Sequence, residues 1–233
     1  MNEANINTQA TVFIIEDNKA MRDFLDQLLK SVQLKTKTYY SVEAFLNDYR
    51  LNQPGCLLLD LCLPGIGGME FYHQLKAKQI DLPVVVLTSE ANISIAVTLM
   101  KAGVFDLFEK PPNRPLLLER IHKAIQFDAC LRCKKAKKQE LLGRINKLTQ
   151  RQNEVMTLLL AGKSNKTIAE KMKISPRTVE SHHTHLMKTM QTNHLIELAQ
   201  ITAFCGLLPK SPQLICSDCY LEQIQTNHGF DGF

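Results

Sequence analysis

The chain of 233 residues lacks both a long apolar run and an apolar segment near its start. Runs such as Val12–Ile15 and Val84–Leu87 are far shorter than the ~20 residues that cross a bilayer. The first ten residues are polar, without the basic start and apolar core of a secretion signal. We therefore expect a cytoplasmic protein that has no membrane association.

The seven cysteines are an odd number, and in a reducing compartment we expect them to be thiols. Four of them form two CxxC pairs, Cys130 with Cys133 and Cys216 with Cys219, which is the spacing found in four-cysteine zinc sites. More than 80 residues separate the pairs, and neither is followed by the glycine of a zinc knuckle. Structural zinc and a redox switch therefore both stay open as minor alternatives.

The net charge of +5 is unevenly distributed along the chain. Residues 1–125 hold 13 Lys and Arg against 14 Asp and Glu, whereas residues 126–147 hold 7 against 2. Residues 148–208 hold 7 against 4, and the last 25 residues hold 1 against 3. An excess of positive charge in one part of a chain is typical of proteins that meet a polyanion, although a solvated basic face looks the same.

The first half of the chain alternates short apolar runs with amphipathic segments. The runs have the length and continuous apolar character of buried parallel strands, and the segments between them have helical spacing. The predicted strands are Thr11–Glu16, Leu34–Thr38, Cys56–Asp60, Pro83–Thr88 and Phe105–Glu109, and predicted helical segments include Met21–Leu29, Val42–Leu46, Ile93–Met100 and Leu116–Ile125. Five strand–helix units predict an α/β domain with a five-stranded parallel sheet that is covered on both faces.

The second half shows no strand pattern and predicts an all-α domain of four helices. These helices are expected over Thr149–Ala161, Ser164–Met172, Ser175–Met190 and Asn193–Phe204. Thr149 and Gln152 have the spacing of a capping box, and Ser175-Pro176 combines a cap hydroxyl with proline at the first helical position. We predict domains at 1–126 and 148–208, a basic helical linker at 127–147 and an irregular tail at 209–233.

Polar residues follow the predicted strands at their carboxyl ends, which lie at one edge of a parallel sheet. They are three carboxylates, a hydroxyl and an ammonium group, carried by Glu16, Asp17, Asp60, Thr88 and Lys110. Three carboxylates suit a hard divalent cation such as Mg²⁺, and a carboxylate beside it can attack a phosphorus centre. The lysine and the threonine can then bind phosphoryl oxygens. Taken singly, a polar or charged residue at the end of a strand more often belongs to an ordinary solvated loop than to a functional site.

The order and spacing of these residues resemble the receiver domain of bacterial response regulators over about Thr11–Ile125. The motifs that carry the resemblance are Glu16-Asp17, Leu59–Gly68, Leu87-Thr88, Lys101-Ala102-Gly103 and Glu109-Lys110-Pro111. The resemblance implies that Asp60 accepts a phosphoryl group from a sensor histidine kinase. It also implies that Glu16, Asp17, Asp60 and the backbone carbonyl of Cys62 hold Mg²⁺, and that the Lys110–Pro111 bond is cis. The family usually has an aromatic residue three positions before the lysine, and this residue takes part in the switch on phosphorylation. Here that position is Leu107, so the switch would use Leu107 or a neighbouring aromatic ring, or the coupling to phosphorylation would be looser.

Two alternatives to a phosphorylated receiver remain. A phosphatase of the haloacid dehalogenase type needs a second acid two residues after the nucleophile, where this chain has Cys62. A degenerate receiver would instead act as a phosphorylation-independent dimerisation scaffold for the DNA-binding domain. We expect no enzymatic activity beyond slow self-dephosphorylation.

The predicted helix Ser175–Met190 carries polar and basic residues around an apolar seam of Val179, Leu186 and Met190. An ordinary surface helix would look similar. The motifs Leu148–Gln152, Gly162–Lys166 and Ser175–His182, within about Leu148–Leu207, resemble the helix-turn-helix domain of the LuxR/FixJ/NarL group, and Met187–Gln191 and Asn193–Leu198 resemble the FixJ branch most. The resemblance implies that base edges are contacted by Glu180, Ser181 and Thr184, and phosphates by Asn165, Lys166, Arg177, Thr178 and Lys188. The implied protein is a two-component transcription regulator that binds a double-stranded DNA operator as a homodimer when phosphorylated. The pairing surface is expected at about Asn92–Ile125, and RNA polymerase is a further candidate partner.

Overall fold

The computed structural model describes residues 10–64, 68–89 and 93–207, and the chain divides into two compact units, Met1–Arg132 and Cys133–Phe233. Five parallel strands of the first unit form one sheet in the order β2-β1-β3-β4-β5. The strands are β1 Thr11–Ile15, β2 Lys35–Tyr39, β3 Gly55–Asp60, β4 Val84–Thr88 and β5 Asp106–Glu109. The predicted parallel sheet is confirmed. The strand order changes direction between β1 and β3, the place where open parallel sheets form their binding crevice.

Helices cover both faces of this sheet, because successive strand residues point to opposite sides. They are α1 Lys19–Ser31, α2 Val42–Asp48, α3 Gly68–Ala77, α4 Ile93–Ala102 and α5 Arg114–Ile145. One apolar cluster joins strand residues such as Phe13 and Leu57 to α2, α3 and α4. A second cluster joins alternate strand residues such as Ile14 and Leu58 to α1 and α5. Burial on both faces accounts for the apolar runs of β1, β3 and β4, which are buried throughout.

A buried polar network lies at the amino end of β3, on the side of the sheet opposite the carboxyl ends of the strands. The Asp128 carboxylate of α5 is buried and accepts hydrogen bonds from Gly55 N (2.9 Å) and from Arg132 Nε (2.6 Å). The guanidinium of Arg132 also donates to the carbonyl oxygens of Asn52, at 2.7 Å, and of Gln53. This network, which we call the Asp128 clamp, fixes α5 to the segment that leads into β3.

The described part of the second unit holds the end of α5 and four further helices, α6 Gln150–Leu160, α7 Asn165–Met172, α8 Pro176–Met190 and α9 Leu195–Phe204. The predicted capping box is present, since Thr149 and Gln152 bond reciprocally at the start of α6. Ser175 caps α8 by accepting from Thr178 N at 3.1 Å, with Pro176 at the first helical position. The predicted seam residues Val179, Leu186 and Met190 are buried in the unit's apolar cluster. No helix among the described residues is long and apolar enough to cross a membrane.

The structure differs from the sequence-based elements in two places. Helix α3 completes the five predicted strand–helix units, but no bounds were predicted for it; Phe71, Tyr72 and Leu75 bury one of its faces. Helix α5 runs without interruption from Arg114 into the segment predicted as a helical linker at 127–147 and ends at Ile145, so the end of the receiver and the linker share one helix. No proline interrupts it after its first turn, and intrahelical ion pairs such as Arg132–Asp128 support its extension. The predicted irregular tail lies outside the described residues.

Candidate phosphoacceptor and DNA-binding sites

Three carboxylates meet at the edge of the sheet where β1 and β3 end. Glu16 directly follows β1 and is buried, Asp17 comes next and is exposed, and Asp60 is the buried last residue of β3. One oxygen from each carboxylate lies within 4.8 Å of the others. Since β1 and β3 are neighbours in register, their carboxyl ends deliver all three acids to one place.

The ammonium group of Lys110 joins this cluster from the end of β5. Its Nζ lies 2.7 Å from Glu16 Oε2 and 2.8 Å from Asp60 Oδ2, and the side chain is only 14% exposed. Its backbone N–H donates to the carbonyl oxygen of Thr88 at 2.8 Å, which continues the pairing of β4 and β5 beyond the strand ends. The lysine is therefore held by both its backbone and its side chain.

The cluster holds three carboxylates, and the Lys110 ammonium pairs with two of them, Glu16 and Asp60. Burial raises the pKa of Glu16, the hydrogen bond from Lys110 partly offsets this, and the charge of Asp60 raises the pKa further. For Lys110, burial alone would lower the pKa, but the carboxylates of Asp60 and Glu16 outweigh it and raise the pKa. A cluster of hard oxygen donors fits a divalent cation of the Mg²⁺ type.

The two oxygens of Asp60 have different neighbours. Oδ2 is paired with Lys110, whereas Oδ1 accepts a hydrogen bond from the backbone N–H of Cys62 at 3.0 Å. Thr88 ends the adjacent strand β4 and is 1% exposed. Cys62 is exposed, and its Sγ lies 3.5 Å from Ser89 Oγ.

Sequence analysis missed Arg22 as part of this site. Arg22 Nη1 donates to the carbonyl oxygens of Glu16 (2.7 Å) and Asp17 (3.1 Å) from the first turn of α1. It thus fixes the backbone that presents both acids. The signal available in the sequence was the position of Arg22, five residues after Asp17 and six after Glu16, at the start of a helix that Asn18 caps.

The end of β5 shows which side chain takes the place of the family's aromatic switch residue. Leu107 is half-buried and packs against the apolar cluster beneath α2, α3 and α4. Phe105 and Phe108 belong to the cluster on the opposite face of the sheet. Neither ring therefore substitutes for Leu107 in this arrangement. The Lys110–Pro111 bond is cis, as predicted.

The polar face of α8 lies opposite its buried seam and is exposed to solvent. A tight turn joins it to α7, where Lys173 adopts a left-handed conformation (φ 56°) and closes the end of that helix. All the predicted contact residues except half-buried Asn165 are exposed, and they are Lys166 on α7 and Arg177, Thr178, Glu180, Ser181, Thr184 and Lys188 on α8. Asn165 and Lys166 occupy the first turn of α7, and the amino end of a helix favours an anion.

Comparison with known protein families gives two matches. The family model "Response regulator receiver domain" matches residues 12–122, and "Bacterial regulatory proteins, luxR family" matches residues 146–202. The first match covers the carboxylate cluster and Lys110, and the second covers α6, α7 and α8.

Whole proteins are also similar to this chain over most of its length. The transcriptional regulatory protein FixJ of Bradyrhizobium diazoefficiens is 34% identical over 86% of this chain and 98% of its own length. The response regulator protein TodT of Pseudomonas putida is 30% identical over 83% of this chain and 85% of its own. The solved structure of the response regulator StyR superposes with a TM-score of 0.75 at 31% identity, covering 83% of this chain and 98% of StyR.

Proposed function

Because this chain belongs to the response regulators that join a receiver domain to a LuxR-family DNA-binding domain, with FixJ among its relatives, we propose that Asp60 is its phosphoacceptor and that the phosphorylated form binds DNA. The observation that supports this most is the position of Asp60, a buried carboxylate at the end of β3 paired with Lys110 at 2.8 Å. A carboxylate in this position is presented as a nucleophile beside a fixed positive charge.

In the proposed reaction, a carboxylate oxygen of Asp60 attacks the phosphorus atom of a phosphohistidine on a sensor histidine kinase. The new bond is an acyl phosphate P–O bond, the P–N bond to the kinase breaks, and its electron pair returns to the imidazole. Lys110 then exchanges its contact with Asp60 for one with a phosphoryl oxygen, and the Thr88 hydroxyl donates to another. Later attack of water would release phosphate slowly, so the protein acts as a regulator rather than as an enzyme with turnover.

The acidic cluster is the proposed Mg²⁺ site, with Glu16, Asp17, Asp60 and the backbone carbonyl of Cys62 as ligands. A bound Mg²⁺ would supply the positive charge that lets a phosphoryl group approach three carboxylates. Glu16 and Asp17 supply hard oxygen donors, and Arg22 holds the backbone that presents them. The convergence of three carboxylates described above supports this assignment.

DNA binding is assigned to α8, with its buried seam holding the polar face outward. Glu180, Ser181 and Thr184 would contact base edges. The residues that would contact phosphates are Asn165, Lys166, Arg177, Thr178 and Lys188. Phosphate contacts position such a helix, whereas base contacts select the operator.

Phosphorylation is proposed to promote a homodimer through the surface of residues 92–125. The described part of this surface exposes apolar side chains of α4, with Ile93 85%, Val97 46% and Met100 51% exposed. A second receiver would remove these side chains from water, and a dimer matches the two half-sites of a palindromic operator. We expect the protein in the cytoplasm, because it would meet both the phosphorylated kinase and the chromosome there. RNA polymerase at the promoter is a further expected partner.

This function is tested by selecting the operator from a random DNA library with phosphorylated protein. Affinity is then compared between unphosphorylated and phosphorylated wild type and Asp60→Asn treated in the same way. We expect tighter binding and faster sedimentation only for phosphorylated wild type. Equal DNA affinity and equal sedimentation of all three would contradict the proposal and favour a phosphorylation-independent scaffold.

A further inference from the structure

The exposed face of α8 carries a histidine, His185, that has no part in the apolar core or in the DNA contacts proposed above. Its neighbour Leu186 is buried in the apolar cluster of the second unit, whereas His185 is exposed. Residues three and four apart lie on the same face of an α-helix. The exposed residues Ser181, His185 and Lys188 therefore form one row along α8, with His185 in its middle. A DNA groove that receives Ser181 and Lys188 would also receive the imidazole between them.

One ring nitrogen of His185 has a fixed partner on the helix itself. Its Nδ1 lies 2.8 Å from the carbonyl oxygen of Ser181, one turn earlier on α8. A carbonyl oxygen has no proton to give, so Nδ1 carries the proton and donates. Only one nitrogen of a neutral imidazole is protonated, so Nε2 is then a hydrogen-bond acceptor.

The same local bond occurs elsewhere in the chain, so the bond alone does not indicate a function. His122 Nδ1 lies 2.7 Å from the Leu118 carbonyl oxygen on α5, where the histidine is half-buried. His185 differs because it is exposed in the middle of the face proposed to contact DNA. The bond to Ser181 therefore orients an acceptor on that face.

An acceptor in the major groove has two kinds of base partner. The donors on base edges there are the amino groups of adenine, at N6, and of cytosine, at N4, whereas guanine and thymine present acceptors. Thr184 is proposed to contact base edges, and the next residue along an α-helix is displaced by only about 1.5 Å along the axis. Since successive base pairs are about 3.4 Å apart, His185 would lie at the same base pair as Thr184 or at an adjacent one.

We propose that His185 is a specificity-determining residue of α8, whose Nε2 accepts a hydrogen bond from the amino group of an adenine or a cytosine in each half-site of the operator. This assignment rests on the proposed function, because it requires α8 to lie in the major groove. The hydroxyls of Ser181 and Thr184 can donate or accept and so discriminate less between bases. The oriented imidazole can only accept from its exposed nitrogen, which makes its choice of base sharper.

The first test selects operators from a random DNA library with phosphorylated full-length protein, as wild type, His185→Ala and His194→Ala. His194 is the matched control, because it is an exposed histidine that precedes α9 and makes no side-chain cap hydrogen bond there. Wild type and the control should enrich adenine or cytosine at one position of each half-site. His185→Ala should lose the preference at that position alone and keep the circular dichroism of wild type.

The second test removes the amino group from the selected base, with purine in place of adenine or 2-pyrimidinone in place of cytosine. Which replacement matters identifies the base that His185 contacts. The change should weaken wild-type binding about fivefold per half-site, the typical net contribution of one hydrogen bond. It should leave the binding of His185→Ala unchanged, because that variant has no acceptor to lose a partner.

Three results would overturn the assignment. One is an unchanged base preference in His185→Ala. Another is a loss of affinity in His185→Ala that is equal for all sequences, as a phosphate contact would give. The third is an equal effect of amino-group removal on wild type and on His185→Ala. A wild type that enriches no sequence at all would contradict the proposed function as well, which distinguishes that failure from the other three.

Discussion

Replacing Asp128 with alanine should destabilise the first unit strongly, although Asp128 lies at the opposite end of β3 from the proposed phosphoacceptor. Its carboxylate is the acceptor for both Gly55 N–H and Arg132 Nε. The change leaves a buried backbone N–H without its acceptor and removes the charge that faces Arg132. The Asp128 clamp would then no longer hold α5 against the segment leading into β3.

The size of the effect follows from burial. An unsatisfied buried N–H costs about 1–3 kcal/mol, and breaking a buried ion pair costs about 3–5 kcal/mol. These two costs overlap, and the Arg132 side chain is 29% exposed and can regain water. We therefore expect a loss of about 3 kcal/mol, or roughly 10 °C in Tm. Asp128→Asn keeps an acceptor oxygen for Gly55 N–H and should cost less.

Tyrosine fluorescence during urea unfolding can follow this unit selectively. The chain has no tryptophan, and four of its five tyrosines, residues 39, 40, 49 and 72, lie in the first unit. Glu119→Ala is the matched control on the same helix, since it breaks the surface pair with Lys123, in which both side chains are about half exposed. The control should leave the midpoint unchanged. Equal midpoints for Asp128→Ala and Glu119→Ala would refute the reasoning from burial.

Four other substitutions test separate parts of the account. Gly55→Ala should destabilise the first unit by about 3 kcal/mol, because its Cβ would lie 1.8 Å from the Thr11 carbonyl oxygen and its φ is +149°; an unchanged urea midpoint would contradict this. Thr149→Ala should cost the second unit about 1 kcal/mol by removing the capping box, measured by circular dichroism, and no loss would mean that the cap is dispensable. Lys166→Ala should weaken DNA binding evenly across operator sequences and lower the salt slope by about one, whereas Glu180→Ala should change sequence preference; the reverse pattern would exchange their proposed roles.

The sheet and the convergence of the strand-end residues could be predicted because both depend on local pattern. Unbroken apolar runs define the strands, and parallel strands bring their carboxyl ends to one edge whatever the details of packing. This is why Glu16, Asp60 and Lys110, which are distant in sequence, could be placed together. Their hydrogen-bonding partners were not predictable from the same pattern.

Features that depend on contacts distant in sequence were missed. Asp128 was counted only as one of two acids in a basic segment, yet its partner Gly55 lies 73 residues away and gives no local signal. A helical linker was predicted, but its continuity with the preceding helix was not, because a shift from apolar to basic composition gives no signal for whether the backbone breaks there. The bounds of α3 were not predicted, because it begins next to a glycine-rich stretch and its apolar face is short.

The central claim is that Asp60 accepts a phosphoryl group, and intact-mass measurement tests it most directly. Wild type, Asp60→Asn and Lys110→Ala would each be incubated with acetyl phosphate and Mg²⁺ and then weighed by mass spectrometry. The account predicts a gain of one phosphoryl group for wild type, none for Asp60→Asn, and a smaller phosphorylated fraction for Lys110→Ala. An unmodified wild type, or an Asp60→Asn variant that gains the same mass, would contradict it.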